Sequence, residues 1–346
     1  MDKSELTSKK MRDSNMELLR IVAMSMILVV HFFTHVLKRM PGMSDATNIG
    51  TTLVICGVNL FFLISGWYGV KFNIRSVTRV VVTSVFFLWL NYAALCLLDV
   101  ECGLRIKKMI VTPVEAAGLW YIMVYLGILV ASPLVNAGIE GMNQRQFNIF
   151  ILASTIFCVY CGWYGGNYAN VSGYTIVQGI WLYCLGHWLR FNQRSTDRIS
   201  SLWLVVIYLI VAVVTIIAKK YGYYQDLNWD RYNSPFVVTM SLAIFLLFTR
   251  FRFRSRAVNY IAGASLGCYM LQDGIFGHNW AYAQIKSIYR YFTGNFEPVE
   301  ATVYIVLALA AIFVAIWAAS IILTPVANLL SMLVTNFLQK IWKAKA

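Results

Sequence analysis

Charge is scarce in this chain. Asp, Glu, Lys and Arg make up 13% of its 346 residues, against 59% hydrophobic residues and a mean hydropathy of +0.65. That balance excludes a soluble globular domain, in which about a quarter of the residues are charged. Proline is also sparse, at six positions, and no Pro/Gly/Ser-rich linker, low-complexity tract or clear repeat interrupts the sequence. A single domain spanning residues 1–346 is therefore expected, with no segment outside the membrane long enough to fold alone. The seven cysteines fall mostly inside apolar runs, where Cys56, Cys158, Cys161, Cys184 and Cys268 behave as small apolar residues. Cys158 and Cys161 have CxxC spacing without a second ligand pair, so a zinc site there is not expected. Cys96 and Cys102, at the outer end of the third apolar run, are placed where a disulfide could form. No cleavable signal is expected either, because MDKSELTSKKMRDSN leads into an apolar run too long for a signal-peptide core.

Long apolar runs are what the chain has instead. Ten approach the length of a membrane span, at about 16–37, 50–70, 76–98, 118–138, 147–164, 172–190, 201–218, 234–250, 257–276 and 301–323. The expected fold is an all-α polytopic bundle of about ten transmembrane helices. With the N-terminus inside, the two tails and the even-numbered loops carry the larger share of Lys and Arg, which predicts that both termini are cytoplasmic. The formal charge of +14 lies largely in short loops beside apolar segments. Topology and anionic lipid headgroups account for it there, and no nucleic-acid partner is expected. A multi-pass protein of the cytoplasmic (inner or plasma) membrane follows. No motif sets its oligomeric state.

Two ionisable residues stand inside the first span, NMELLRIVAMSMILVVHFFTHV. Arg20 and His31 are eleven residues apart, about three helical turns, so they share a face with a rise of roughly 16 Å between them. Such groups are costly in a membrane and mark an interior site or pathway by default. A neutral imidazole takes a hydroxyl proton near neutral pH and returns it to a leaving group, which makes His31 the candidate general base. The alternative is a histidine that packs and hydrogen-bonds to a neighbour. His35, one turn on, could join His31 on a metal, but no third ligand is evident and none is expected.

The second informative stretch is GVNLFFLISGWYGV, residues 57–70. Gly57, Ser65, Gly66 and Gly69 interrupt its aromatic side chains and allow close helix approach. Ser65 has no acid–base partner nearby in sequence, so packing is the preferred reading over a nucleophile. Two outer connections, about 219–233 and 277–300, are rich in Tyr, Trp, Asn and Asp. An interfacial aromatic belt is the first reading of them, and a sugar-holding surface the second. The last stretch, PVANLLSMLVTNFLQKIWKAKA, either extends the tenth helix or lies along the inner interface.

Taken together, these motifs resemble the acyltransferase-3 family of membrane acyltransferases. Its Arg-x10-His pattern in the first helix is matched by Arg20 and His31. A Gly-Val-Asp/Asn-Leu-Phe-Phe run followed by Ser-Gly is matched by Gly57, Val58, Asn59, Leu60, Phe61, Phe62, Ser65 and Gly66. Leu119, Trp120 and Tyr121 resemble the family's Leu-Trp-Tyr/Phe start of the fourth helix, which runs on to SPLVN. The likeness spans the chain. One departure concerns the ninth helix, where many relatives carry a His after a Tyr-Leu-Ile-like triplet and this chain has Gln272 and Asp273, with His278 a few residues later.

The resemblance implies acyl transfer, with acetyl-CoA as donor and no resident cofactor or metal. The acceptor would be a hydroxyl of a cell-surface polysaccharide or its lipid-linked precursor. It also assigns roles: His31 and Arg20 catalytic, and Arg75 and Arg79 of KFNIRSVTR on coenzyme phosphates near the inner face, where the family has a comparable basic pair. Asn59, Phe61, Ser65, Trp120 and Asp273 would belong to the pocket. Arg250, Arg252, Arg254 and Arg256 form a second basic cluster that positive-inside topology already explains. Asp273 could orient His31, pair with an arginine or cap its helix. The rival reading from a different class is a polytopic transporter or exporter of a small molecule or saccharide, which internal repeats would favour.

Overall fold

The computed structural model describes residues 13–40, 42–103, 106–116, 118–165, 170–224 and 227–345, and every regular element among them is helical. The first twelve residues, on which the reading of the leading segment rests, lie outside the described residues. In chain order the principal helices are α1 (Ser14–His35), α2 (Ser44–Val54), α3 (Gly57–Tyr68), α4 (Ile74–Leu97), α5 (Trp120–Gly141), α6 (Gln144–Ile156), α7 (Ile176–Phe191), α8 (Ser201–Lys220), α9 (Pro235–Thr249), α10 (Arg256–Ala262), α11 (Ser265–Gln272), α12 (Tyr282–Asn295) and α13 (Pro298–Lys345).

Among the described residues, seven helices are long and apolar enough to span a bilayer: α1, α2 with α3, α4, α5, α6 with the wider turns that continue it to Tyr164, α8 and α13. The other three predicted spans fall on α7, with 16 residues, on α9, with 15, and on the pair α10 and α11. The protein is thus an all-α polytopic membrane bundle. Three boundaries differ from the sequence reading. The second span starts earlier, at Ser44, and breaks at Ile55 and Cys56, because Thr- and Asn-rich α2 is too polar to register as an apolar run. The ninth is interrupted at Gly263 and Ala264. The tenth continues through Pro325 for 48 residues. That makes it about 72 Å long, more than twice the hydrocarbon thickness of about 30 Å. The cysteines are all thiols, and the turn through Asp99, at φ 55°, and Gly103 leaves Cys96 and Cys102 unbridged.

Small residues set the closest approaches. A Cβ on Gly66 would stand 2.0 Å from the Tyr183 carbonyl oxygen, and one on Gly186 would stand 2.3 Å from that of Leu63, so α3 and α7 cross almost backbone to backbone. A Cβ on Gly57 would meet the Ala23 carbonyl oxygen at 2.7 Å, which brings α3 equally close to α1. The obstacle at Gly66 is main chain rather than a movable side chain. Gly66→Ala is therefore expected to destabilise the protein by about 3 kcal/mol, the upper end for overpacking, visible as a lower melting temperature in detergent.

Polar ties fix the ends. Gly69, at φ 71°, closes α3. Beyond it, the Tyr183 hydroxyl accepts from the Val70 N–H at 3.1 Å and donates to Asn136 Oδ1 at 2.6 Å, while Asn136 Nδ2 donates to the Val70 carbonyl at 3.0 Å. At the start of α1, the Ser14 N–H donates to the Phe253 carbonyl and Asn15 Nδ2 to that of Phe248, both at 3.0 Å. These bonds dock the start of α1 against the end of α9 and the basic segment that follows it.

Candidate functional site

One cavity of about 480 Å³ is enclosed by α1, α3, α4, α5, α10, α11 and α13. From α1 it is lined by Glu17, Arg20, Met24, Ile27 and His31, whose steps of three, four, three and four residues trace a single helix face. Arg20 and His31 thus share the cavity, as their spacing predicts.

Charge gathers at the end where α1 begins. There Arg20 Nη1 donates to both carboxylate oxygens of Glu17, at 3.1 and 3.0 Å, and Lys71 and Arg79 join the lining with the amides of Asn259 and Asn328. The Glu17 side chain is only 5% exposed, so the Arg20 guanidinium offsets a buried charge. Arg75 is exposed and stands outside the lining, one turn before Arg79. Arg250 is held elsewhere: it pairs with Asp197 and donates to the Thr196 and Ile199 carbonyls, which makes it a clip on the loop before α8.

The opposite end is aromatic. Trp120, Tyr121, Tyr232 and Tyr269 line it with Phe61, and Tyr125 continues the lining toward Arg20 and Arg79. Tyr121 lies 6.0 Å from both Phe61 and Tyr269, and Trp120 lies 5.5 Å from Tyr232. Asn59 is fully buried and outside the lining, where its Nδ2 donates to the Tyr232 carbonyl at 2.9 Å. Gln178 Nε2 donates to the same oxygen at 2.9 Å. The motif asparagine therefore fixes the wall of the cavity through Tyr232. Ser65 does line it, but its hydroxyl donates to the Phe61 carbonyl at 2.8 Å, which agrees with a packing role.

The loop before Tyr232 is tied down from outside. Asp230 pairs with Lys219 at 2.9 Å. Burial pushes the Asp230 carboxyl up, but the Lys219 charge and hydrogen bond outweigh it and hold the group below the usual carboxylate range. Of the two outer connections read as belt or sugar surface, this one supplies a cavity wall.

His31 stands at the aromatic end, 6.3 Å from the Tyr269 ring. Its Nδ1 lies 3.0 Å from Gln272 Oε1, while Gln272 Nε2 donates to the Leu28 carbonyl at 3.2 Å. That second bond settles the amide's orientation: the NH2 group is engaged on a carbonyl, so the oxygen faces the ring and Nδ1 carries the hydrogen. The Nε2 nitrogen is left with its lone pair, which is the arrangement a general base needs. Asp273 is outside the lining. Its Oδ1 lies 3.6 Å from His31 Nδ1 and 3.0 Å from His278 Nε2, so of the two histidines it is His278 that hydrogen-bonds to it.

The sequence reading missed Glu17, Lys71, Gln272 and the tyrosines. Glu17 carried a signal, being three residues before Arg20 on the same helix face. Lys71 lies in the same loop as the arginine pair. Gln272 was visible only as the residue replacing the family histidine. Tyr121 was marked only as part of the Leu-Trp-Tyr motif and Tyr232 only as one of many aromatics in its connection, while Tyr125 and Tyr269 carried no signal, because in an apolar span they read as packing.

Comparison with protein families matches an acyltransferase domain over residues 13–323. No curated protein and no solved structure matches the chain. The matched region takes in the Arg20–His31 face, the Gly57–Gly66 motif and all the cavity lining except Thr324 and Asn328, and the chain belongs to the acyltransferase-3 family of membrane acyltransferases.

Proposed function

We propose that the protein moves an acetyl group from cytoplasmic acetyl-CoA to a hydroxyl of a cell-surface polysaccharide or its lipid-linked sugar precursor, within the inner or plasma membrane. The observation that supports this reading is a cavity that is cationic at one end and carries at the other aromatic rings and His31, with its Nδ1 held by Gln272. Coenzyme phosphates suit Lys71 and Arg79, with Arg75 at the mouth, because guanidinium and ammonium groups make charge-assisted bonds to them. The pantetheine arm then runs along the α1 face past Met24 and Ile27, and the thioester arrives beside His31.

The chemistry needs one base. His31 Nε2 removes the proton of the acceptor hydroxyl as its oxygen attacks the thioester carbonyl. The tetrahedral adduct collapses, the C–S bond breaks, and the imidazolium returns the proton to the departing coenzyme sulfur. Direct attack requires no enzyme nucleophile, in keeping with a Ser65 hydroxyl engaged on the Phe61 carbonyl. Aromatic faces such as Trp120 and Tyr232 suit the apolar faces of a sugar ring.

The test is reconstitution. Proteoliposomes holding the pure protein receive labelled acetyl-CoA and extracted surface glycans, and label is followed into alkali-labile ester. Ester formation that depends on both substrates is expected. A protein that moves the saccharide while leaving the thioester intact is an exporter, and the proposal fails.

Gln272 acts here as a positioning residue. Gln272→Leu keeps the bulk but removes the acceptor that holds Nδ1–H, and kcat should fall about 10–100-fold with KM for acetyl-CoA unchanged. Gln272→His, which restores the family's residue, should recover most of the rate. Equal losses in both variants would assign Gln272 to packing alone.

A further inference from the structure

At the edge of the cavity, His31 belongs to a second cluster of chemically active side chains, whose other members, His35 and Asp273, the proposed reaction does not use. It lies where the end of α1 meets the end of α11. We infer that His31, His35 and Asp273 form a binding site for a divalent transition-metal ion, zinc foremost.

Three observations carry the inference. His31 and His35 are four residues apart on α1, so both imidazoles project from one helix face, a spacing that lets two histidines on one helix share an ion. The sequence offered no third ligand, and the fold supplies it: one ligand atom from each of His31, His35 and Asp273 lies within 4.8 Å of the others. In detail, Asp273 Oδ1 stands 3.6 Å from His31 Nδ1 and 3.9 Å from His35 Nε2. Ligand atoms around a tetrahedral ion at about 2.1 Å stand about 3.4 Å apart, so small side-chain rotations close the site. Both separations are too long for hydrogen bonds, whereas they suit groups converging on a common centre.

The chemistry of the donors agrees. Two imidazoles and one carboxylate form a borderline nitrogen and oxygen set of the kind zinc accepts, with one position left for water. A second layer is present: His278 Nε2 donates to Asp273 Oδ1 at 3.0 Å and orients the carboxylate, as outer partners of metal ligands do. The three ligand side chains are between 12% and 30% exposed, open enough for an ion to enter and buried enough to keep it.

One consequence rests on the proposed function. Ligation through Nδ1 requires a neutral His31 with its hydrogen on Nε2, so the ion displaces the Gln272 bond and moves the ring proton without net release. The base position is then blocked. Metal occupancy and proton abstraction by His31 exclude one another, and the site is inhibitory.

The experiment is equilibrium dialysis of the purified protein, carrying no polyhistidine tag, against zinc chloride, with bound metal counted by mass spectrometry. Wild type is expected to bind one ion per chain. His35→Ala and His35→Gln, which leave the proposed base itself in place, should each weaken binding by at least about tenfold. Cobalt in place of zinc should give visible ligand-field bands that the same variants lose. Folded wild type that holds no stoichiometric zinc would overturn the site, and so would both variants retaining wild-type affinity. Zinc should also inhibit acetyl transfer by wild type while sparing His35→Ala. A protein that binds zinc as described but transfers no acetyl group keeps the metal site and loses the acyl-transfer reading.

Discussion

His31→Ala is expected to lower kcat for acetyl transfer by about 10²–10⁴-fold, the range for loss of a positioned general base. The ester assay in proteoliposomes reads it, with variant and wild type matched for melting temperature. The fold should tolerate the change. α1 is held by Met16, Leu19 and Ala23, all almost completely buried, and by the bonds of Ser14 and Asn15 to the end of α9 and the segment that follows it. His31 itself faces the cavity. A histidine that merely packed would give the opposite pattern, with stability lost and turnover per folded molecule retained.

Arg20→Ala has two effects that a second variant separates. Removing the guanidinium takes the cation at 3.0 Å away from a Glu17 carboxylate that is only 5% exposed. Breaking a buried pair from one side costs about 3–5 kcal/mol, and the partial exposure of Arg20, with a further interaction at Glu17, puts this case below that range. The double variant Arg20→Met with Glu17→Leu removes both charges and should recover most of that stability. It should not recover the reaction: KM for acetyl-CoA is expected to stay raised by at least about tenfold, because the cation facing the donor is still missing. A double variant with wild-type kinetics would reduce Arg20 to a structural partner of Glu17.

Periodicity accounts for much of what the sequence made legible. The Arg20–His31 spacing placed both groups on one face because helix geometry alone decides that, and the cavity follows the same face from Glu17 to His31. Gly57 and Gly66 were readable as close-packing residues for a similar reason, since only a missing Cβ permits the observed approach to Ala23 and Tyr183. What was hidden depends on contacts across the bundle. Asn59 reaches the cavity only through Tyr232, 173 positions away. Gln272 and Asp273 meet His31 across a separation of 241 positions or more, and nothing local marks either as its neighbour. Arg75, Arg79 and Lys71 look alike in sequence, and only the turn from α3 into α4 decides which of them line the cavity. Pro325 left two readings open, an extended tenth helix or an interfacial segment, and the helix runs through it because a long helix can carry a proline whose missing bond its surroundings tolerate.

In the proposed reaction one chain brings a donor and an acceptor from opposite faces of the membrane to His31. Sidedness tests it most directly. Sealed proteoliposomes of uniform orientation carry labelled acetyl-CoA on one side and glycan on the other. Ester is predicted when the donor is on the face where α1 begins and the glycan is on the face of Trp120 and Tyr232, with the reverse loading silent. Ester that forms only when both substrates share one face would contradict the account.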